Sequence, residues 1–432
     1  MGLEYFVGEQ LQPPPLRFSA SSLQAQHHDA RQGLKLYGPY DAQRFAKDRV
    51  RCALIYPRKL SNVKDIFVSG LVNGSGRFSG FGSLFRIPIE FSQERDISDE
   101  SERAVEEAVR AILRDHHPDV FVLIISDRNQ ALYRWAKTLL LGNGIPNQVV
   151  RAATIKNAKG LAWSLENIAL QLYAKAGGTP WTVMSPSRDN ELVIGVSRAL
   201  DRNRNMVIGF VTLFTHDGDY QLLYSLSPKP INWERLDEYR NALAQLIVEA
   251  YQEYSRHQGA PSRLVIHLCK RPGKFREVAA VEQAMQNLGQ NIPFALVHLN
   301  DDTSYRLFDT AHSTYVPRPG IKVNLNRYTA LLFLDGRVPD RQGQEIRRKR
   351  GVPRVLEVYL DRRSTIDADE FPGLVQQVFN FARVNWRGFN AQAIPATLNY
   401  SYLVARLVSE IGADNWNAIA NDISLRDKAW FL

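Results

Sequence analysis

The chain has 432 residues, 44% of them hydrophobic and 23% charged, and 54 Lys and Arg against 45 Asp and Glu give a net charge of +9. This length predicts two domains, and the composition excludes a disordered chain. The basic excess favours a polyanionic partner. Cys52 and Cys269 can form neither a disulfide framework nor a zinc spacing, and no stretch approaches about 18 apolar residues, so we expect a soluble cytoplasmic protein without membrane partners.

Residues 1–37 read as short extended pieces interrupted by Pro13, Pro14 and Pro15. We expect them to form an N-terminal segment that packs on the second domain. The phrase GLKLYGPYD, at Gly33 to Asp41, marks the entry into the first compact domain.

Short apolar strands alternate with helices between Arg51 and Gly178. This order predicts a parallel sheet with helices on both faces, in a first domain of residues 38–180. The predicted strands are 51–56, 86–90, 119–125 and 148–151, and the predicted helices are 61–72, 99–115, 129–141 and 160–176.

A glycine-rich stretch, NGSGRFSGFG at Asn73 to Gly82, follows the first of these helices. Phosphate-binding loops follow a strand, and the spacing matches neither a dinucleotide nor a Walker motif. We interpret it as a flexible loop, with a lid or a partner-binding loop as the alternative.

Residues 181–432 show a different order. Three apolar strands joined by tight turns, one of them at Asp217–Gly218, precede helix, strand, helix and strand, which is the order of an RNase H-like fold. The predicted strands are 192–200, 206–214, 220–226, 263–268, 293–299, 320–325, 330–334 and 354–360, and the helices are 233–256, 277–288, 367–383 and 400–411.

One set of polar residues in the first domain suggests a binding site. Tyr133 and Lys137 lie one turn apart on a predicted helix, Gln148 opens the next strand, and the next long helix carries Asn167, Gln171 and Lys175 at i, i+4 spacing. If both helices pack on one sheet, two ammonium groups, amides and an aromatic ring converge. Such a set suits a phosphate dianion attached to a base.

These residues, with the GGTPW that follows, resemble the guide-binding motif in the MID domain of prokaryotic Argonautes of the Piwi type. The resemblance extends from about Gly33 through segments such as IGVSRAL, VIHLCKRPGK, ALVHLND, NWRGFNAQAIPATLNYSYLVA and the final WFL. It implies an α/β protein with a Rossmann-like MID domain and an RNase H-like PIWI domain. Because segments for N and PAZ domains are missing, we expect a short Argonaute.

The resemblance also implies roles for individual residues. It assigns the 5′-phosphate of a guide to Tyr133, Lys137, Gln148, Asn167 and Lys175, and a divalent cation (Mg²⁺) beside that phosphate to the Gln171 carbonyl and the Leu432 carboxylate. Candidate contacts to the nucleic-acid backbone are Lys156, Lys159, Lys270, Arg271, Lys274 and Arg387. The run at 347–350, RRKR, reads as a solvated loop or a nucleic-acid tether.

Nucleases of this fold hold two Mg²⁺ ions with carboxylates on the first strand, after the fourth strand and on a late helix. Ser197, Cys269 and Tyr402 stand at the matching positions. A hydroxyl, a thiol and a phenol are poor ligands for hard Mg²⁺, so we expect no slicing activity.

The expected function is therefore guide-dependent binding. The resemblance implies a small 5′-phosphorylated guide, with RNA favoured, that pairs with target DNA without cleavage. It also implies a co-encoded effector with an Argonaute-partner domain, either NAD-consuming or a nuclease, in a heterodimer that defends against plasmids or phages. Two alternatives stay open: an active PIWI nuclease with unusual metal ligands, and a single-strand-binding protein that needs no guide.

Overall fold

The structure is a computed structural model. It describes residues 5–127, 129–184, 190–200, 206–216, 219–226, 230–231, 236–269, 277–289, 291–311, 315–334, 354–390, 392–412, 415–416, 419, 425 and 428–432. The predicted turn at Asp217–Gly218 and the run at 347–350 lie outside these residues. Within these ranges, no helix combines the length and the apolarity needed to cross a membrane.

The described strands, in chain order, are β1 (Gly8–Gln10), β2 (Leu16–Arg17), β3 (Gln26–His27), β4 (Val50–Pro57), β5 (Ile89–Ile97), β6 (Val120–Ile125), β7 (Asn147–Arg151), β8 (Thr182–Val183), β9 (Glu191–Leu200), β10 (Met206–His216), β11 (Asp219–Leu226), β12 (Pro230–Ile231), β13 (Arg263–Cys269), β14 (Phe294–Asn300), β15 (Ile321–Asn326), β16 (Thr329–Leu332) and β17 (Leu356–Leu360).

The described α-helices are α1 (Ala30–Tyr37), α2 (Ser61–Asn73), α3 (Phe81–Phe85), α4 (Glu102–Leu113), α5 (Gln130–Gly142), α6 (Ala152–Lys156), α7 (Leu161–Lys175), α8 (Leu236–Gln258), α9 (Glu277–Leu288), α10 (Phe371–Phe381) and α11 (Ala396–Ile411). The chain divides into two compact units. The parallel-sheet unit contains residues 16–182, 386–389 and 407–432, and the large-sheet unit contains residues 1–15, 183–385 and 390–406.

The parallel-sheet unit is built on the strand order β5-β4-β6-β7, with every neighbouring pair parallel. All six residues of β6 are buried, because helices cover both faces of the sheet. One face packs against α4 and α5 through a core that includes Ile55, Leu123, Val109 and Leu140. This is the arrangement that the alternation of strands and helices predicts.

The large-sheet unit contains a ten-stranded sheet in the order β1-β15-β16-β17-β14-β13-β9-β10-β11, with β12 paired to β10. Strands β9, β10 and β11 are antiparallel neighbours, whereas β13 runs parallel to both β9 and β14. Alternate residues such as Ile194, Ile266 and Leu296 share one core with α8 and α9. The α/β fold class with an RNase H-like second half is confirmed in this strand order.

Two local expectations are wrong. Residues 30–37 are helical rather than extended, because the Asp29 side chain caps α1 by accepting a hydrogen bond from the Gln32 N–H at 2.8 Å. The glycine-rich stretch is a folded turn rather than a flexible loop, since Ser75 and Phe78 form a β-bridge and the Phe78 side chain is buried.

A close backbone approach fixes α11 against β9. A Cβ atom on Gly195 would lie 2.2 Å from the Thr397 carbonyl oxygen, which belongs to the backbone and cannot rotate away. Glycine at this position therefore lets α11 reach the sheet.

We expect Gly195→Ala to destabilise the protein by about 1–3 kcal/mol, because the backbone of β9 or α11 must shift. Thermal unfolding should show a Tm lower by several degrees. Gly373→Ala is the matched control, since Gly373 lies in α10 with no neighbouring atom within 4 Å of an added Cβ. That substitution should leave Tm unchanged or raise it slightly, and an equal effect of both substitutions would contradict the close approach.

Candidate functional site

Two buried lysines form the centre of the candidate site in the parallel-sheet unit. Lys137 on α5 is 3% exposed, and Lys175 at the end of α7 is 1% exposed. The Lys137 Nζ donates a hydrogen bond to the Asn147 carbonyl oxygen at 3.0 Å, and the Lys175 Nζ donates to the Gln148 Oε1 at 2.5 Å. The start of β7 thus brings the two predicted lysines and the predicted glutamine together.

Neither of these acceptors carries a charge, so the two ammonium groups are poorly compensated. Burial lowers the pKa of Lys137 to about 8, opposed by the Glu410 carboxylate. Burial also lowers the pKa of Lys175 well below its ordinary value, and the positive charges of Lys137 and Arg387 lower it further. Two cations that repel each other in a buried site favour a bound anion.

Tyr133 lies one turn before Lys137 on α5. Its half-buried ring has its centroid 5.7 Å from the Lys137 Nζ, within range of a cation–π contact. The Asn129 side chain caps α5 by accepting from the Leu132 N–H at 3.0 Å, and Leu132 and Ala136 are buried against the sheet. The amphipathic pattern of this helix therefore sets the positions of both polar residues.

The amide ladder of α7 lies beside residues 386–389. The Gln171 Nε2 donates to the Arg387 carbonyl oxygen at 3.0 Å, and the Asn167 Oδ1 is so near Gly388 that an added Cβ would lie 3.1 Å away. Periodicity within α7 cannot reveal this neighbour, which comes from a segment more than 200 positions later in the chain.

A half-buried carboxylate, that of Asp41, fixes the C-terminal end of α7. The Tyr173 hydroxyl donates to Asp41 Oδ1 at 2.6 Å, and the Thr179 N–H donates to Asp41 Oδ2 at 2.8 Å. Burial raises the pKa of Asp41 to about 6, while these hydrogen bonds oppose the shift. Asp41 of the GPYD motif therefore holds residues on both sides of Lys175.

The predicted cation ligands are Gln171 and Leu432. The hydrogen bond to Arg387 uses the Gln171 amide nitrogen and leaves the amide oxygen, an acceptor of the type that hard divalent cations prefer. Trp430, Phe431 and Leu432 are all buried, and the Ala429 N–H donates to the Ala174 carbonyl oxygen at 3.4 Å. The oxygen donors thus fit a hard divalent cation, and both assignments stay predictions.

The other basic candidates are dispersed. Lys156, Lys159 and Arg387 are exposed, as expected of contacts to a nucleic-acid backbone. Lys270, Arg271 and Lys274 lie outside the described residues. Among the described residues, no three His, Cys, Asp or Glu side chains are grouped closely enough to hold a metal ion.

The three nuclease-like positions lie on one side of the large sheet. The Ser197 Oγ donates to the Leu398 carbonyl oxygen at 3.1 Å and accepts from the Ser401 Oγ at 2.9 Å. Cys269 is the last residue of β13, and Leu268 before it pairs with Val196 in β9. Tyr402 follows Ser401 on α11. A pair of hydroxyl groups therefore occupies the position where the resemblance expects the first carboxylate.

Comparisons with known proteins identify the family of this chain. A family model described as the Piwi domain matches residues 119–334, half of the chain. The chain belongs to the Piwi-domain family. The resemblance to Argonaute and Piwi proteins that the sequence predicts is thus confirmed.

Relatives extend the Piwi-family match to most of the chain. The sequence is 28% identical to "Protein argonaute" of Cereibacter sphaeroides over 93% of this chain and 56% of that protein. It is 25% identical to "Piwi protein" of Archaeoglobus fulgidus over 93% of both chains. The crystal structure of Drosophila Piwi superposes with a TM-score of 0.73 at 16% identity, covering 98% of this chain and 56% of that one. The Piwi-family chain thus spans about half the length of two of these proteins.

We expect Lys175→Met to stabilise the protein when no anion is bound, because it removes a buried charge and keeps the length of the side chain. The pKa of Lys175 in the folded state lies below its unfolded value of 10.5. Between these two pKa values the folded state has lost the proton and the unfolded state has kept it, so the free energy of unfolding rises with pH. At pH 7, in a buffer without phosphate, sulfate or nucleic acid, Tm should rise by about 2 °C or more.

This advantage should shrink as the pH approaches 10.5, where the unfolded lysine also loses its proton. Lys156→Met removes an exposed charge and should leave Tm unchanged across the same pH range. A fall in Tm for Lys175→Met at pH 7 would show that the charged lysine stabilises the unliganded fold, contrary to this account.

Proposed function

We propose that this Piwi-family chain binds a small guide strand by its 5′-phosphate and uses that strand to recognise complementary nucleic acid. The observation that carries the proposal is the pair of buried ammonium groups, Lys137 and Lys175, whose hydrogen-bond acceptors are neutral oxygen atoms. A terminal phosphate is a dianion at neutral pH and offers several acceptor oxygens, so it can compensate both charges at once.

The neighbouring residues support a nucleotide rather than a free anion. The half-buried Tyr133 ring beside Lys137 offers a face on which a base can stack. The amides of Gln148 and Asn167 supply donors that orient the phosphate. When bound, a divalent cation near Gln171 and Leu432 would neutralise further phosphate charge.

We propose RNA as the guide and DNA as the target, as the family resemblance implies. Base pairing then supplies the sequence specificity, and the protein contributes contacts to phosphate groups through exposed side chains such as Lys156, Lys159 and Arg387. Each such contact weakens as the salt concentration rises.

We also propose that binding, and not cleavage, is the activity of this chain. The support comes from Ser197, Cys269 and Tyr402 at the positions where related nucleases carry carboxylates. Cleavage of a target or consumption of NAD would belong to a co-encoded effector that forms a heterodimer with this chain in defence against plasmids or phages. Exposed aromatic residues of the large-sheet unit, Tyr305, Phe308 and Tyr315, suit such a partner surface.

We expect the protein to bind an RNA strand of about 18 nucleotides roughly 100-fold more tightly with a 5′-phosphate than with a 5′-hydroxyl, because each buried ammonium group gains a charge-assisted hydrogen bond. The double variant Lys137→Met/Lys175→Met should bind both strands equally. Fluorescence anisotropy at fixed salt concentration measures these affinities.

The control for this comparison is Lys156→Ala/Lys159→Ala, which removes two exposed charges. It should weaken the binding of both strands by the same factor and leave the preference for the 5′-phosphate intact. Equal binding of the two strands by the parent protein would reject the proposal and favour a single-strand-binding protein that ignores the 5′ end.

Guide-loaded protein incubated with complementary labelled DNA and Mg²⁺ or Mn²⁺ should bind the target and leave it intact on a denaturing gel. Adding the co-encoded effector should then produce target-dependent NAD loss or cleavage. Product formed by the chain alone, and abolished by Cys269→Ala, would instead establish an active nuclease with unusual ligands.

A further inference from the structure

A second cationic cluster lies near the first turn of α7 in the parallel-sheet unit, away from the lysine pair. The guanidinium carbons of Arg31 and Arg77 lie 4.8 Å and 3.5 Å from the centroid of the Trp163 ring. Arg31 also lies 4.7 Å from the ring of Phe389. Two arginines on one indole bring like charges together, which requires a counter-charge nearby.

Glu166 supplies part of that counter-charge. Its buried carboxylate is 2.7 Å from the Arg31 Nε and 4.0 Å from an Arg77 nitrogen. The Arg31 side chain is 11% exposed and that of Arg77 is 38% exposed. Glu166 is thus shared by the two guanidinium groups, and Arg77 is the arginine that solvent, or a ligand, can reach.

The glycine-rich turn sets the position of Arg77. Ser75 and Phe78 on either side of it form a β-bridge, and Gly74 and Gly76 adopt φ angles of 93° and 55°, which residues with a side chain rarely adopt. With Phe78 buried beneath the turn, the guanidinium is held over the indole by the local fold.

A continuous polar strip joins this cluster to the lysine pair. Trp163, Asn167, Gln171 and Lys175 follow one another at four-residue spacing, so they lie along one side of α7. Residues 386–389 accompany the strip, with Arg387 bonded to Gln171, Gly388 beside Asn167 and Phe389 beside Arg31. The two ends are twelve residues apart, which corresponds to about 18 Å along a helix.

We propose that Arg77, supported by Trp163 and Arg31, is a second anchor for the strand whose 5′-phosphate occupies the lysine pair, and that it contacts a backbone phosphate further along. This inference rests on the proposed function. A stacked strand rises about 3.4 Å per nucleotide, so it covers about 18 Å in roughly five nucleotides. The anchor acts on phosphate geometry and is indifferent to base sequence.

A length series of 5′-phosphorylated single strands, from about 2 to 12 nucleotides, tests this placement by competition against one labelled strand. Arg77→Gln should bind the shortest strands as the parent does. Beyond roughly five nucleotides it should bind about 3–10-fold more weakly, and the slope of log affinity against log salt should fall by about 0.7, the loss of one phosphate contact.

Two further variants keep the result specific. Arg77→Lys retains the charge without the planar stack and should keep the salt slope of the parent. Arg103→Gln removes an arginine that is 88% exposed on α4 and paired with Glu107, so it controls for net charge and should behave as the parent at every length.

The second anchor would be overturned if Arg77→Gln bound strands of every length as tightly as the parent does, or if it bound them more weakly by the same factor at every length. The double variant Lys137→Met/Lys175→Met separates this failure from failure of the proposed function, because it should abolish the preference for a 5′-phosphate at every length. If the double variant keeps that preference, the proposed function fails, whatever Arg77→Gln shows.

Discussion

The burial of two ammonium groups beside neutral acceptors is the constraint on which this account depends. Lys137 and Lys175 are almost inaccessible, and each shifts toward the uncharged form when no anion is bound. A protein gains no stability from such a pair, since apolar side chains of the same length would cost less. The arrangement becomes favourable when a multivalent anion occupies the site.

The surrounding structure holds this unfavourable pair in place. The parallel sheet brings the start of β7 to both lysines, and Asp41 clamps the end of α7 through Tyr173 and Thr179. The nuclease-like positions of the large-sheet unit provide a contrast. Ser401 donates a hydrogen bond to Ser197, and neither hydroxyl carries a charge. The binding that we propose therefore lies in the parallel-sheet unit.

Much of this could be predicted from the sequence, for identifiable physical reasons. Short apolar strands alternating with amphipathic helices predicted the parallel sheet, and i, i+4 spacing placed Asn167, Gln171 and Lys175 on one side of α7. The contact of residues 386–389 with α7, the charge of Glu410 near Lys137 and the arginines on Trp163 were not predicted. They join residues far apart in the chain, and hydrophobic periodicity carries no information about such pairs.

The glycine-rich turn shows the same limit in a local motif. Its composition indicated flexibility, yet Phe78 anchors it and the glycines serve the conformation that presents Arg77. A signal was present in the alternation of glycine with phenylalanine and arginine, but its meaning depends on the partner Trp163, which the turn sequence does not contain.

The most direct test of the central claim is the titration of Lys137 by NMR, with labelled lysine side chains assigned through methionine variants. In the free protein its pKa should lie near 8, and a bound 5′-phosphorylated strand should raise it to the ordinary value of 10.5 or above, whereas a 5′-hydroxyl strand should leave it unchanged. A lysine that titrates at its ordinary pKa in the free protein, or that does not respond to the 5′-phosphate, would contradict the account.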